Sequence, residues 1–162
     1  DANCLIGHVA PANNQWRAFD GKAEALAIFH GPHAYVSPTW YGTSPAVPTW
    51  NYAAVHAAGR LSVIEDAAYV ADLLERMVAV YEGGKPRPWT NPLPPEVTEK
   101  LIAAVVAFEL PIERLDGKFK LGQNRKHEDQ VGAIAGLEAA GDQESLALAR
   151  FAREKLGLPA AQ

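Results

Sequence analysis

Gly31-Pro32-His33-Ala34-Tyr35-Val36-Ser37-Pro38-Thr39-Trp40-Tyr41, followed shortly by Val47-Pro48-Thr49-Trp50-Asn51-Tyr52, is the stretch on which the reading of this sequence turns. Trp40, Tyr41, Trp50 and Tyr52 offer flat apolar faces, and Ser37, Thr49 and Asn51 offer neutral hydrogen-bonding groups. Such a set suits a planar heteroaromatic ligand, which wants stacking plus a few directed hydrogen bonds. Any one of these aromatics serves equally well as core filling in a proline-stiffened loop; the density of the group is what favours a site. Gly31, Pro32, Pro38, Gly42, Pro45 and Pro48 punctuate residues 30–49 and predict a long loop there. A long, aromatic-rich loop is uncommon in a compact domain unless it carries function.

Working outward, the flanks read as strands. Cys4-Leu5-Ile6-Gly7-His8-Val9 has strand composition, residues 12–19 suggest a short helix or turn, and residues 23–29 a second strand. Tyr52, Val55, Leu61, Val63 and Ile64 make residues 51–64 another strand, with Gly59 at a bulge or bend. The middle is helical: Asp66 suits an N-cap, and Val70, Leu73, Leu74, Met77, Val78 and Tyr81 recur at the spacing of a buried helix face, stopped by Gly83-Gly84. Pro94-Pro95-Glu96 opens a further helix to about residue 106. Residues 108–121 read as a hairpin turning at Asp116-Gly117, with Pro111 confined to an edge or bulge. From Arg125 onward two helices are expected, the first ended by Gly141 and the second capped by Asp142. The order β, α, β, α makes an α+β domain, a single one over residues 1–162.

A cationic cluster follows the expected hairpin: Lys118-Phe119-Lys120-Leu121-Gly122-Gln123-Asn124-Arg125. Lys118 and Lys120 share one face of a strand, and Arg125 lies near a helix start where backbone amides also favour anions. Phosphate binding is one use; a solvated strand end, with Gln123 and Asn124 capping the next helix, is the other.

The composition narrows the function. With 162 residues, 48% apolar and 21% charged, the chain is long enough for one real core. A net charge of −4 argues mildly against DNA contact as the main activity. Cys4 stands alone, which excludes an intrachain disulfide and a cysteine zinc site and fits a reducing cytoplasm. No membrane span and no signal peptide is visible. His30 and His33 are three apart, but no carboxylate sits at ligand spacing and Gly31-Pro32 rules out a helix-borne pair, so no metal site is expected. Neither a nucleophile elbow, a Walker loop nor a dinucleotide glycine fingerprint occurs, and no residue stands out as catalytic. The chain opens at Asp1 with a strand almost immediately under way, so a preceding segment is expected.

At these clusters, together with Gly7–Trp16 and Pro88-Trp89, the sequence resembles the PaiB-like family of FMN-binding negative transcriptional regulators, over essentially the whole chain. The resemblance implies an FMN-binding split β-barrel of the pyridoxamine phosphate oxidase-like kind with additional helices and a C-terminal helix pair. It also implies a homodimer holding FMN between subunits, and lacking here the family's first strands, about fifty residues by length. Carried onto this chain, Lys120 and Arg125 with Ser37 become phosphate candidates, and Gln123 and Asn124 lie in the same cluster. Trp50, Asn51 and Tyr52 become ring candidates, with His8 and Asn13 lining the cleft. The chain departs from the family at Pro11, where an arginine is usual, at Gly122, where a serine is usual, and in a shortened loop between Tyr41 and Val47. Each lost charged contact is worth about 1.5–3 kcal/mol, so weaker flavin binding is expected. DNA binding follows only from the family's label. The other readings are a flavin-dependent oxidoreductase using a reduced nicotinamide, a haem-binding relative with His33 or His8 as axial ligand, and an interaction protein with a closed pocket.

Overall fold

A computed structural model describes residues 3–89 and 93–159. It is an α+β chain whose four strands lie in the sheet order β1-β4-β3-β2: β1 is Cys4–Val9, β2 Asp20–Val36, β3 Thr49–Val63 and β4 Val106–Lys120. The helices are α1 (Ala67–Glu82), α2 (Pro95–Ala103), α3 (His127–Ala140) and α4 (Gln143–Lys155). Short 3-10 turns occupy Asn14–Ala18 and Pro38–Trp40. The chain divides into two compact units, and β2, β3 and β4 each contribute one segment to both.

The first unit comprises the described residues of Asp1–Leu26 and Ala58–Arg114. β1 runs antiparallel to β4, with Cys4 opposite Pro111 and His8 opposite Ala107. Gly59 has the Pro111 carbonyl oxygen where a side chain would stand, the close approach that the glycine permits. Asp66 caps α1 by accepting from the Ala68 and Tyr69 amides at 2.9 and 3.2 Å. Val70 and Leu73 are buried with Ala107, and Leu74, Met77, Ile6 and Ile102 pack around them. The expected buried face stops there: Tyr81 is 71% exposed and Val78 is also on the surface, because α1 outruns the core beneath it.

The second unit comprises Ala27–Ala57 and the described residues from Leu115 onward. Its core joins Ala34 and Leu121 to Ile134 and Leu137 of α3 and Leu148, Ala149 and Ala152 of α4. The positions 145, 148, 149 and 152 are the buried stripe of α4, at the three-and-four spacing of one helix face. Gly141 takes φ 75° between the two helices and Asp142 caps α4, as the sequence indicates.

Two expectations change. β4 runs unbroken from Val106 to Lys120, so the proposed hairpin does not form. Gly117 does not adopt the left-handed backbone that such a turn requires; strand continuation prevails over a local turn signal. Similarly, β2 extends to Val36, so the first seven residues of the expected loop are strand despite Gly31 and Pro32.

Candidate functional site

β-strand alternation builds the site. On β3, Trp50, Tyr52, Ala54 and His56 point one way and line a cavity of about 420 Å³. On β4, Asp116 and Lys118 line the same cavity. The opposite face of β4 carries Phe119, which meets Phe151 of α4 edge-on at 5.2 Å between centroids. On β2 both His30 and His33 reach the cavity, although residues three apart on a regular strand face opposite ways. Strict alternation along β2 is therefore lost between His30 and His33, the stretch that contains Gly31-Pro32. Two histidines thus reach one cavity while Ala34 and Val36 lie in the core.

The cavity is aromatic and open. Trp50 is 50% exposed, and His33 meets its ring edge-on with centroids 5.9 Å apart. The His33 Nδ1 lies 3.2 Å from Glu144 Oε2 at the start of α4, which fixes the imidazole. No cluster of histidine, cysteine or carboxylate able to hold a metal ion occurs among the described residues.

Of the residues singled out in the sequence, the structure brings Trp50 and Tyr52 together on one wall. Asn51 is buried and, by alternation, lies on the other face of β3. Lys120 follows Lys118 on the same face of β4 and donates from Nζ to Thr49 Oγ1 at 2.7 Å. Ser37 caps the 3-10 turn, its Oγ 2.7 Å from Thr39 Oγ1 and 3.2 Å from the Thr39 amide. Arg125 lays its guanidinium over the Tyr41 ring, 4.5 Å from the centroid. Neither Ser37 nor Arg125 lines the cavity of Trp50 and Tyr52.

Gln123 does not cap α3; its side chain accepts from the Leu121 amide at 2.9 Å and donates to the Phe119 carbonyl at 2.5 Å, closing the turn after β4. Asn124 is exposed beside it. Gly122 takes φ 79°, which the serine usual in the family would adopt only with strain. Its carbonyl accepts from the Arg125 amide at 2.9 Å and from Gln130 Nε2 at 3.1 Å. His8 and Asn13 belong to the first unit, where His8 stands opposite Ala107 and Asn13 accepts from the Gln15 amide as the cap of a 3-10 turn.

Three features were not anticipated from sequence. Lys118 stands in the sequence only as part of a cationic run and His30 only as a poor metal ligand, yet both line the cavity, joined there by His56. The third is the seat of the aromatic loop. A Cβ on Gly136 of α3 would fall into the Trp40 indole, with Cε2 at 2.6 Å, and one on Gly132 would meet the Trp40 carbonyl. The loop is tied again at Asp129, buried at 1% exposure, which accepts from the Thr43 amide at 3.0 Å and the Thr43 hydroxyl at 2.6 Å. Those bonds, the Thr43 hydroxyl foremost, hold the Asp129 carboxyl below its ordinary value against the opposing effect of burial, with the Gly42 amide and the Arg125 charge assisting.

Comparison with known proteins gives a consistent picture. A family model described as "Putative FMN-binding domain" matches residues 1–114. The "Protease synthase and sporulation protein PAI 2" of Bacillus subtilis is 35% identical, over 94% of this chain and 73% of its own length. An uncharacterized protein of Aspergillus fumigatus is 36% identical over 93% of this chain and 72% of its own. Among solved structures, the flavocytochrome Anf3 of Azotobacter vinelandii superposes with a TM-score of 0.54 at 19% identity, covering 75% of this chain and 52% of that one. The FAD and heme binding protein of Mycobacterium smegmatis gives 0.53 at 20% identity, covering 88% and 62%. This chain thus spans only about half to three-fifths of those two structures. At such identities the likeness is one of fold, and it bears out the α+β split-barrel class with its C-terminal helix pair.

Proposed function

This chain belongs to the PaiB-like family of FMN-binding domains, and on that premise we propose that it holds FMN in the cavity of Trp50 and Tyr52, as a homodimer whose second copy closes the open side. The observation that carries this reading is the cavity itself. Its volume of about 420 Å³ falls in the range of small-molecule sites, about 300–1,000 Å³, and its walls are aromatic with a lysine at one side. The isoalloxazine ring lies against Trp50 and Tyr52, and the phosphate reaches the β4 cations Lys118 and Lys120. Arg125 and Ser37 do not line this cavity, so the phosphate contact is assigned to the two lysines. When bound, flavin itself supplies the electron-accepting chemistry; the residues here bind it, orient it and exclude water from one face.

A second copy is supported by what the cavity's surroundings expose. Ile28, Tyr35 and Trp50 are each about half exposed on neighbouring strands, apolar side chains of the kind that subunit contacts cover. Regulation of transcription is carried over from the family. It has no basic surplus behind it at a net charge of −4, so flavin sensing rather than broad DNA affinity is the role assigned. Placement in the cytoplasm accords with the lone Cys4. Among the described residues no helix is long and apolar enough to cross a membrane.

The test is a titration of FMN fluorescence with the purified full-length protein, run beside sedimentation velocity. Saturable quenching that weakens at least tenfold in Trp50→Ala, by a dimeric species, is the expected result. Unquenched flavin at saturating protein overturns the ligand, and a monomer that binds flavin fully overturns the shared site.

A further inference from the structure

The second unit holds another cavity, of about 490 Å³, that the flavin reading does not use. Its aromatic walls are Tyr35 of β2, Trp40 of the 3-10 turn and Trp50 of β3, and its polar wall is Asp142 and Glu144 at the start of α4, with His33 between. Among the described residues, no lysine or arginine lines it. The Trp50–His33 pair is common to both cavities.

Each wall is held in place. Trp40 is seated on the glycine notch of α3, and Trp50 is met edge-on by His33 at 5.9 Å. Glu144 is fixed by the same histidine at 3.2 Å. Asp142 accepts from the Ser145 amide at 3.0 Å, and the Ser145 hydroxyl and amide bonds together keep its carboxyl below the ordinary aspartate value, hence anionic. The cavity therefore joins aromatic side chains to negative charge. A phosphate-bearing ligand would be repelled here, and an uncharged one would make no use of the carboxylates' charge. A cation draws on both features, because the ring quadrupole and the carboxylates attract it alike.

We propose that this second cavity binds a small organic cation of the alkylammonium type, and that Trp50 reports its presence to the neighbouring cavity. The cation's alkyl groups rest on Trp40, Tyr35 and Trp50 while its charge faces Asp142 and Glu144. The site does not depend on flavin being bound. It stands or falls by its own chemistry.

The test uses the full-length protein, with choline as probe and 3,3-dimethylbutan-1-ol as its uncharged isostere. Indole resonances in ¹H–¹⁵N spectra, assigned through Trp40→Phe and Trp50→Phe, should shift saturably with choline and at least tenfold more weakly with the alcohol. The double variant Asp142→Asn, Glu144→Gln retains an N-cap side chain, since asparagine caps as well as aspartate. It should still unfold in one cooperative transition well above the assay temperature and lose at least fivefold in choline affinity. Equal response to the alcohol, absence of saturation, shifts confined to Trp16 and Trp89, or unchanged choline affinity in the double variant would each overturn the proposal. Failure of FMN to bind in the separate flavin titration would leave these outcomes unaffected.

Discussion

Replacing Gly136 by alanine is a sharp test of how the aromatic loop is held. On an ordinary helix the change is favourable by about 1 kcal/mol, because glycine gives up more backbone freedom than alanine. Here a methyl group would enter the Trp40 indole at its ring fusion, with Cε2 only 2.6 Å away. Carbon atoms in good contact stand about 3.5–4.0 Å apart, so the ring must move by about an ångström or more. The obstacle is the middle of a rigid bicycle, not the free end of a flexible chain, and the Trp40 carbonyl is itself lodged against Gly132. Eviction of the ring forfeits much of what truncating a packed tryptophan costs, about 3–5 kcal/mol. Against the helix gain, the net loss is about 2–4 kcal/mol. Urea unfolding followed by far-UV circular dichroism should show the midpoint falling by about 1–2 M for ordinary denaturant slopes. The decisive control is the same change in a Trp40→Ala background, where it should become neutral or stabilising by up to about 1 kcal/mol. A Gly136→Ala protein at least as stable as its parent would refute the seating of Trp40 on α3.

Other outcomes follow from named groups. Lys118→Ala should weaken FMN about 10- to 150-fold, the equivalent of about 1.5–3 kcal/mol for a charge-assisted bond, and leave riboflavin affinity unchanged; parallel titrations of the two ligands check this. The Asp129 carboxyl has a lowered value in the folded state, so the stability it contributes is present above the ordinary value of 3.8 and is lost as pH falls through the lower folded one. Asp129→Asn should therefore reduce the melting midpoint at neutral pH and flatten its decline below pH 3.8, as thermal scans across that range would show. Leu137, 1% exposed between α3 and α4, should cost about 2–5 kcal/mol as alanine in a urea titration.

What was legible in the sequence was what local chemistry fixes. Asp66 and Asp142 announce helix starts because their short carboxylates satisfy amides that nothing else reaches, and Gly141 announces a stop because its φ of 75° suits few other residues. Trp50 and Tyr52 could be paired through the period of two. The same period sets Asn51 apart from them, which a reading of the cluster as one motif overlooked. Non-local effects were out of reach. Asp116-Gly117 has turn chemistry, yet the strand runs through it, since strand continuation outweighs a local preference. Gly31-Pro32 reads as a break, but β2 runs through it, and His30 and His33 both reach one cavity. Gly132 and Gly136 advertise close approach on α3 without saying of what. Only the fold supplies Trp40.

A crystal grown with FMN tests the flavin's position most directly. The predicted difference density places the ring system against Trp50 and Tyr52 and the phosphate within hydrogen-bonding reach of Lys118 or Lys120. Flavin density on a surface remote from β3, with the Trp50 cavity filled only by solvent, would contradict it.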